Sequence, residues 1–458
     1  MLDKNVDLEE LNKEQLIDLV KLLLARVSTL DKRVARQKKG VEKTVKKTSQ
    51  NSSLPPSQDQ KANRSPKDKA KRGAKQGHVG KSRQRVKPDE IVEFRVLECK
   101  ECGQGLSQRM QWLVGRRQVT DLPLARPIVR EGHRYQVTCP SCRCQQTSTY
   151  GQGYEKGRMF GSNLEQVVLY LHYAHPLSYG RVQRILSDLY GLKISRGALV
   201  NVVKRAKEHL KRGADAIHRQ LMQSSVIGSD ETTARVDGLK YWQWVFQTPQ
   251  LAYHVIRPSR EAQVLRDVMG DVQPEVWVSD VLSSQMCHPA NSYQICLAHQ
   301  VRDLQYEIDT HHCQWAKQIQ TLFYDAMTLH RQRDDLDPDI FKPQRQDYET
   351  RLDQILDIAP HYVDSERLRA RFVKHRDALL LFLHRDDVPP TNNASEQALR
   401  NSVIYRKVTG GFRSEWAPDL YADLISILET ARRQQRPIFE SLASILDGQS
   451  VFDTAHFS

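Results

Sequence analysis

Apolar residues in the N-terminal stretch fall at Leu16, Val20, Leu23, Val27, Leu30 and Val34, in alternating steps of four and three. This is the heptad seam of a coiled coil, and it predicts a helix within residues 1–39 that pairs chains rather than lying alone against its own protein. From residue 40 to residue 90 the hydrophobic period is lost and Lys, Ser, Gln, Pro and Gly take over. Such a stretch cannot bury a core, so it reads as a flexible linker. Strand-like alternation returns near His133 to Thr138, and helical spacing covers residues 162–212. There a run ending at Tyr190 leads through Gly191 to Ser195, an N-cap for a further helix through Val203. The pair has a helix-turn-helix outline, which DNA readers and plain helical bundles share.

After Gln223 the period changes to two. Residues 225–236, 241–246 and 251–256 are short aromatic and β-branched runs, the last two separated by Thr248-Pro249, and they predict a three-stranded meander. A helical stretch over 260–269 follows, then an apolar strand over 275–280 that ends on Asp280. No glycine occurs between Gly270 and Gly410, while Trp315, Ile319, Leu322, Phe323, Ala326 and Leu329 recur at helical steps, so this region reads as a helical insertion. It closes on Pro389 and Pro390, after which Asn392 or Asn393 can cap a helix bearing Glu396 and Arg400 on one face.

Charge sharpens the linker. The chain of 458 residues carries 69 Lys and Arg against 55 Asp and Glu, a formal net of +14. Residues 38–88 alone hold 16 Lys and Arg and three acids, a net of +13. A charge run can be a solvated tail, but one this basic suits phosphate neutralisation and predicts affinity for nucleic acid without sequence choice. No stretch approaches the roughly 18 apolar residues of a membrane span, and residues 1–10 are too acidic to open a secretory signal. The expected location is the cytoplasm, near the nucleoid, with no membrane partner.

Eight cysteines are too sparse for a disulfide scaffold, and four of them form two CxxC knuckles, Cys99-Lys-Glu-Cys102 and Cys139-Pro-Ser-Cys142, separated by 36 residues. Four thiolates from two turns make a closed tetrahedral site for one structural Zn²⁺. Cys144 is an alternative fourth ligand and a redox dithiol the competing reading. A second zinc site from Cys296 and His299 would need two more ligands, for which His311, His312 and Cys313 are the near candidates.

Asp230, Asp280 and Glu396 are the candidate catalytic acids, the first two at or near strand ends, where substrates bind on open mixed sheets. Two divalent cations about 4 Å apart can activate an attacking oxygen and stabilise a leaving one at a phosphodiester, and such cations, Mg²⁺ or Mn²⁺, need hard carboxylate ligands. Carboxylates are common enough in this chain that composition alone leaves them as solvated surface groups; their surroundings set these three apart.

Asp230-Glu-Thr, Arg257-Pro-Ser-Arg260, Ser279-Asp280, Cys296-Leu-Ala-His299 with Arg302-Asp303, Asn392-Asn-Ala-Ser-Glu396 with Arg400, and Arg406-Lys407 resemble, in order, the motifs of the insertion-sequence family sixty-six transposases, bacterial DDE enzymes. The likeness extends to the Pro-Pro-Ser segment at Pro55, to Gly77-His78 and to the two knuckles. The resemblance implies an α+β multidomain chain whose ribonuclease-H-like mixed-sheet core is interrupted by helices. The expected segments are a coiled-coil helix (1–39), the basic linker (40–90), a zinc ribbon (91–150), a helical DNA-binding region (151–222), the first part of the core (223–295), an all-helical insertion (296–388), and the end of the core with C-terminal helices (389–458).

The resemblance further implies binding of the element's terminal inverted repeats, metal-assisted release of 3′-hydroxyls and their attack on target DNA. The working form it implies is a homodimer or higher oligomer, with companion proteins of the same element as candidate partners. Asp280 would bridge two Mg²⁺ ions, with Asp230 and Glu396 completing the ligand set. His299, Arg302, Arg400, Arg406 and Lys407 would hold DNA phosphates; for Arg400 and Lys407 the bland alternative is a charge partner of the acids, and for His299 a capping or packed histidine. One departure stands out: the family follows its second Asp with a Gly or aromatic segment ending in Tyr, and residues 281–287 here are Val-Leu-Ser-Ser-Gln-Met-Cys. That keeps open a catalytically silent, transposase-derived zinc-containing DNA-binding protein, and a nuclease of the same fold that joins no strands.

Overall fold

A short antiparallel hairpin, β1 (Gln136–Thr138) with β2 (Gln145–Thr147), encloses the second Cys knuckle. In this computed structural model residues 21, 46–52, 59, 84–122, 125–449 and 452 are described. The heptad seam, Lys21 apart, and most of the basic linker lie outside them. The chain falls into two compact units, one of Met1–Asp59, Glu131–Arg184 and Lys193–Ser458, the other of Gln60–Arg130 and Ile185–Leu192.

In the smaller unit the first knuckle is a tight turn, with the Gly103 N–H donating to Cys99 O at 2.9 Å and the Cys99 N–H to Gln104 O at 2.9 Å. The second knuckle, in the larger unit, repeats this pattern: Arg143 N–H to Cys139 O at 2.8 Å and Cys139 N–H to Cys144 O at 2.9 Å. Gly103 and Arg143 occupy the same left-handed position, at φ 73° and 56°. Strand pairing is sparser than the alternation at 133–138 suggested, since β1 starts only at Gln136.

The larger unit opens with helix α1 (Ser162–Leu169), which continues into a π turn (Tyr170–Ala174). Then come α2 (Tyr179–Tyr190), α3 (Arg196–Arg205) and α4 (Lys207–Leu221). Ser195 caps α3 as its sequence position demands, its hydroxyl accepting the Ala198 N–H at 3.1 Å. Glu165, 5% exposed, is held by Arg158 and Arg205, so α1 and α3 share a neutralised buried carboxylate.

The period-two runs form β3 (Val226–Val236), β4 (Leu239–Gln247) and β5 (Ala252–Arg257); helix α5 (Ala262–Met269) leads to β6 (Val276–Ser279), and helix α6 (Ser283–Met286) to β7 (Ser292–Ile295). They make one mixed sheet in the order β5-β4-β3-β6-β7, antiparallel from β5 to β3 and parallel from β3 to β7. Helices α7 (Leu297–His311), α8 (Gln314–Arg331), α9 (Pro338–Leu356) and α10 (Val363–Lys374) follow, packed on a core that runs from Val276 and Val278 of the sheet through Leu304, Trp315 and Phe323 to Phe372. The chain then returns through α11 (Asn393–Thr409), α12 (Ala417–Arg433) and α13 (Ile438–Leu446). An edge strand exposes unpaired amides. Here α12 covers β5: Ser426 Oγ accepts the His254 N–H at 2.8 Å and Thr430 Oγ1 the Ala252 N–H at 3.1 Å.

Asp423, on the same helix, illustrates what such packing costs. Burial pushes its carboxyl up to about 7; Asp419 and Asp215 add to the rise, and Lys211 and Lys207 oppose it. Between about pH 4 and that value the folded chain holds a proton that the unfolded chain has released, so stability falls as pH rises through the window. Asp423→Asn keeps the shape without the charge. It is expected to exceed the parent in stability at pH 8 by up to roughly 4 kcal/mol, with the gap closing near about pH 4. Urea unfolding at both pH values tests this, and a gap independent of pH would refute it.

Candidate active site

Asp230 lies inside β3 rather than at a strand end as expected, because β3 runs on beside β4 to Val236; strand register still sets it beside Asp280. Gly228 pairs with Val278 across β3 and β6, so two residues further along the same face Asp230 stands level with Asp280, just past the end of β6. On the antiparallel side Asp230 faces Val245, which packs against Ala398 and Leu399 of α11. Helix α11 therefore covers the sheet face that carries both acids, and Glu396 lies in its first turn.

Asn392 ties these pieces together. It is 2% exposed, its Nδ2 donates to Ser229 O at 2.7 Å, its N–H to Cys296 Sγ at 3.1 Å, and its Oδ1 accepts the Ser395 hydroxyl at 2.6 Å. A Cβ on Gly228 would stand 3.1 Å from that Oδ1 and 2.4 Å from Gln247 Nε2, which is why the strand carries glycine there. The Leu297 N–H donates to Pro390 O at 3.0 Å and the Cys296 N–H to Ser279 O at 2.8 Å, so the starts of α7 and α11 are both anchored beside the strand ends.

This anchoring brings His299 and Arg302 of α7 to Glu396, with His299 Nε2 3.6 Å and Arg302 Nη1 3.8 Å from its Oε1. His299 is pushed up to about 9, by the Cys296 side chain first and by Glu396 as well, against burial and Arg302. Asp230 is pushed up to about 7, chiefly by burial and then by the Glu231 and Asp280 carboxylates, while the Glu231 N–H and the positive His299 act the other way. The groups thus form one electrostatic cluster, from Asp280 and Asp230 through His299 to Glu396.

Each acid keeps coordinating capacity. Asp230 Oδ1 accepts the Glu231 N–H at 2.8 Å and Asp280 Oδ1 the Leu282 N–H at 2.9 Å; among the described residues neither Oδ2 takes a hydrogen bond. Glu396 Oε1 is buried with no hydrogen-bond donor. A carboxylate buried against its own charge beside a second one, as Asp230 is beside Asp280, fits a cation site. The three do not all lie within 4.8 Å of one another, and a pair of ions about 4 Å apart does not require it, since different acids can serve different ions.

The other sequence candidates part ways. Arg400 and Lys407 are exposed on α11 and make no ion pair among the described residues. Arg406 turns inward, its guanidinium donating to the carbonyl and hydroxyl of Thr233 on β3. The histidines and cysteine proposed to complete a zinc site with Cys296 and His299 do not do so: His311 is at the other end of α7, about 18 Å away, and Cys313 lies beside Ser365.

Sequence reasoning passed over Glu231. It points to the face opposite Asp230, its side chain 1% exposed, held by Arg260 at 2.5 Å and by Gln285 Nε2 at 2.5 Å. Burial raises its carboxyl, Arg260 opposes, and Asp280 adds to the rise. Arg260 also stacks over Trp242, 4.7 Å from the ring centroid. Strand alternation was the available signal, since adjacent acids on a strand must face opposite sides. Gln285 belongs to the departing segment 281–287, which is thereby braced against β3.

The family model described as Transposase IS66 family matches residues 157–419, more than half of the chain and the whole of this cluster. The chain belongs to the IS66 transposase family. A second model, described only as a family of unknown function (DUF6444), matches residues 3–86. An uncharacterized protein y4jO of Sinorhizobium fredii (strain NBRC 101917 / NGR234) is 30% identical over 106 residues, which are 23% of this chain and 33% of that relative. The chain thus spans about a third of the curated relative it matches. No helix among its described residues is long and apolar enough to cross a membrane.

Proposed function

We propose that the chain is an insertion-sequence transposase that cleaves element ends and transfers them to target DNA with Asp230, Asp280 and Glu396. The observation that carries this is the convergence of Asp230, Asp280 and Glu396, from β3, the end of β6 and α11, on one sheet face with His299 between them. The sheet order, antiparallel on one side of β3 and parallel on the other, supports a ribonuclease-H-like core interrupted by α7 to α10.

Asp230, Asp280 and Glu396 would hold two Mg²⁺ or Mn²⁺ ions, which supply an activated attacking oxygen and charge stabilisation at the leaving one. Asp280, level with Asp230 just past the end of β6, would be the ligand shared by the ions. Asn392 fixes the distance between β3 and α11, and hence between Asp230 and Glu396. His299, held beside Glu396, and Arg302 hold the scissile phosphate, while Arg400 and Lys407 lie along the exposed face of α11 where a DNA backbone can reach them. Arg406 braces β3 and so positions the strand that bears Asp230.

Each knuckle, taken by itself, has the turn geometry of a zinc-binding thiol pair. In each, backbone N–H groups pointing at the first thiol lower its pKa: those of Cys102 and Glu101 at Cys99, and those of Cys142 and Ser141 at Cys139. Such donors favour the thiolate that zinc requires. The knuckles are expected to account for about one zinc per chain, an equivalent that Cys139→Ser loses; elemental analysis showing no such loss removes the ribbon. The coiled coil would pair chains so that two ends meet, in the cytoplasm and on the nucleoid.

The test is an incubation of full-length protein with Mg²⁺ or Mn²⁺ and DNA bearing the element's terminal repeats. Nicked and joined products are expected. Binding to those ends with no metal-dependent product would favour the silent DNA-binding reading, which the departing segment 281–287 recommends as the alternative; nicking without joining would make it a nuclease.

A further inference from the structure

A second set of ligand-type side chains lies at the far end of α7, away from the acids above. Glu307 and His311 are one turn apart on the same face of that helix, and Asp364 comes from the first turn of α10. The carboxylate oxygens and imidazole nitrogen of these three all lie within 4.8 Å of one another. Glu307 is eight residues along α7 from His299, about 12 Å, so the groups are separate.

Several features are those of a built site rather than a chance meeting of acids. Glu307 is 3% exposed, yet among the described residues no Arg or Lys pairs with it. Its Oε2 accepts the Ser365 hydroxyl at 2.5 Å, and among the described residues its Oε1 takes no hydrogen bond. Buried carboxylates are ordinarily paired or bound to metal. The His311 ring is stacked on Tyr362 at 4.3 Å and 14°, which fixes its plane. Asp364 is steered by Arg367 through Oδ1 at 2.8 Å, leaving Oδ2 without a hydrogen bond among the described residues. Orienting bonds of this kind, from groups that are not themselves ligands, are what metal sites use to aim their donors.

We infer that Glu307, His311 and Asp364 bind a divalent transition-metal ion of the Zn²⁺ class, clipping the end of α7 to the start of α10. Two carboxylate oxygens and one imidazole nitrogen suit such an ion better than Mg²⁺, which prefers oxygen and retained water. Metal bonds of about 2.0–2.2 Å bring tetrahedral donors to about 3.4 Å, so the side chains need to close by about an ångström or so. The fourth position opens to solvent, because His311 and Asp364 are only half-buried.

The experiment uses the full chain, stripped with a chelator and dialysed against Zn²⁺, its bound metal counted by elemental analysis. His311→Asn combined with Asp364→Asn is expected to bind one equivalent less than the parent, while the knuckle zinc is retained. Equal stoichiometry in parent and variant overturns the assignment. As a measure independent of any variant, hydrogen exchange of the unaltered chain is expected to slow at residues 307–311 and 363–366 on adding Zn²⁺. Exchange there unchanged by Zn²⁺ overturns it too. Neither readout depends on strand cleavage, so this site can fail while the proposed transposase survives, and the reverse.

Discussion

Asp280→Asn is expected to lower metal-dependent cleavage on the order of 10³-fold or more, with retention on DNA unchanged. Asparagine keeps the volume and the oxygen that accepts the Leu282 N–H. What it removes is the charge, in the position proposed to touch both ions. The same change should not unsettle the fold. Asp280 is one of the groups that raise Asp230 and Glu231, so without it the repulsion at the strand ends is smaller and thermal stability should hold or rise. A stable, DNA-binding, inactive variant therefore assigns the loss to chemistry. Full activity in Asp280→Asn would sink the proposed triad.

The second large effect concerns salt. If the linker supplies even six of its 16 basic residues to DNA phosphates, affinity falls about 10³-fold between 50 and 200 mM salt. Deleting residues 40–90 should then flatten the plot of log affinity against log salt by about five units. The deletion leaves the described sheet and its acids intact, so cleavage at low salt and saturating protein should persist. Binding titrations at four or five salt concentrations measure the slope, and one that does not move would mean the linker makes no phosphate contacts.

Much of the architecture was legible because it depends on local period. The apolar run ending on Asp280 is β6, the aromatic runs are β4 and β5, and Ser195 caps its helix, each an outcome of alternation or capping chemistry within a few residues. The sequence offers Asn392 or Asn393 as the cap, and the backbone carbonyl of Asn392 accepts the Ser395 and Glu396 N–H groups. Its side chain goes elsewhere, 163 positions back to Ser229, and nothing in the surrounding sequence encodes that partner. Glu231 was passed over for the same reason: its identity as a buried, braced acid rests on Arg260 and Gln285, 29 and 54 residues away.

By itself the sequence determined which residues are available for chemistry and in what order: the two thiol knuckles, the basic linker, the candidate acids and the helical stretch that precedes the third of them. Those properties follow from composition and from periods of two and 3.6 residues, which any chain displays before it folds. Only the tertiary structure decided the neighbours: that β3 lies between β4 and β6, that α11 covers the face with Asp230, that His299 meets Glu396, and that Glu307, His311 and Asp364 gather at the opposite end of α7. Such meetings depend on strand register and helix packing across more than a hundred residues, where a slip of one position turns every side chain to the other face.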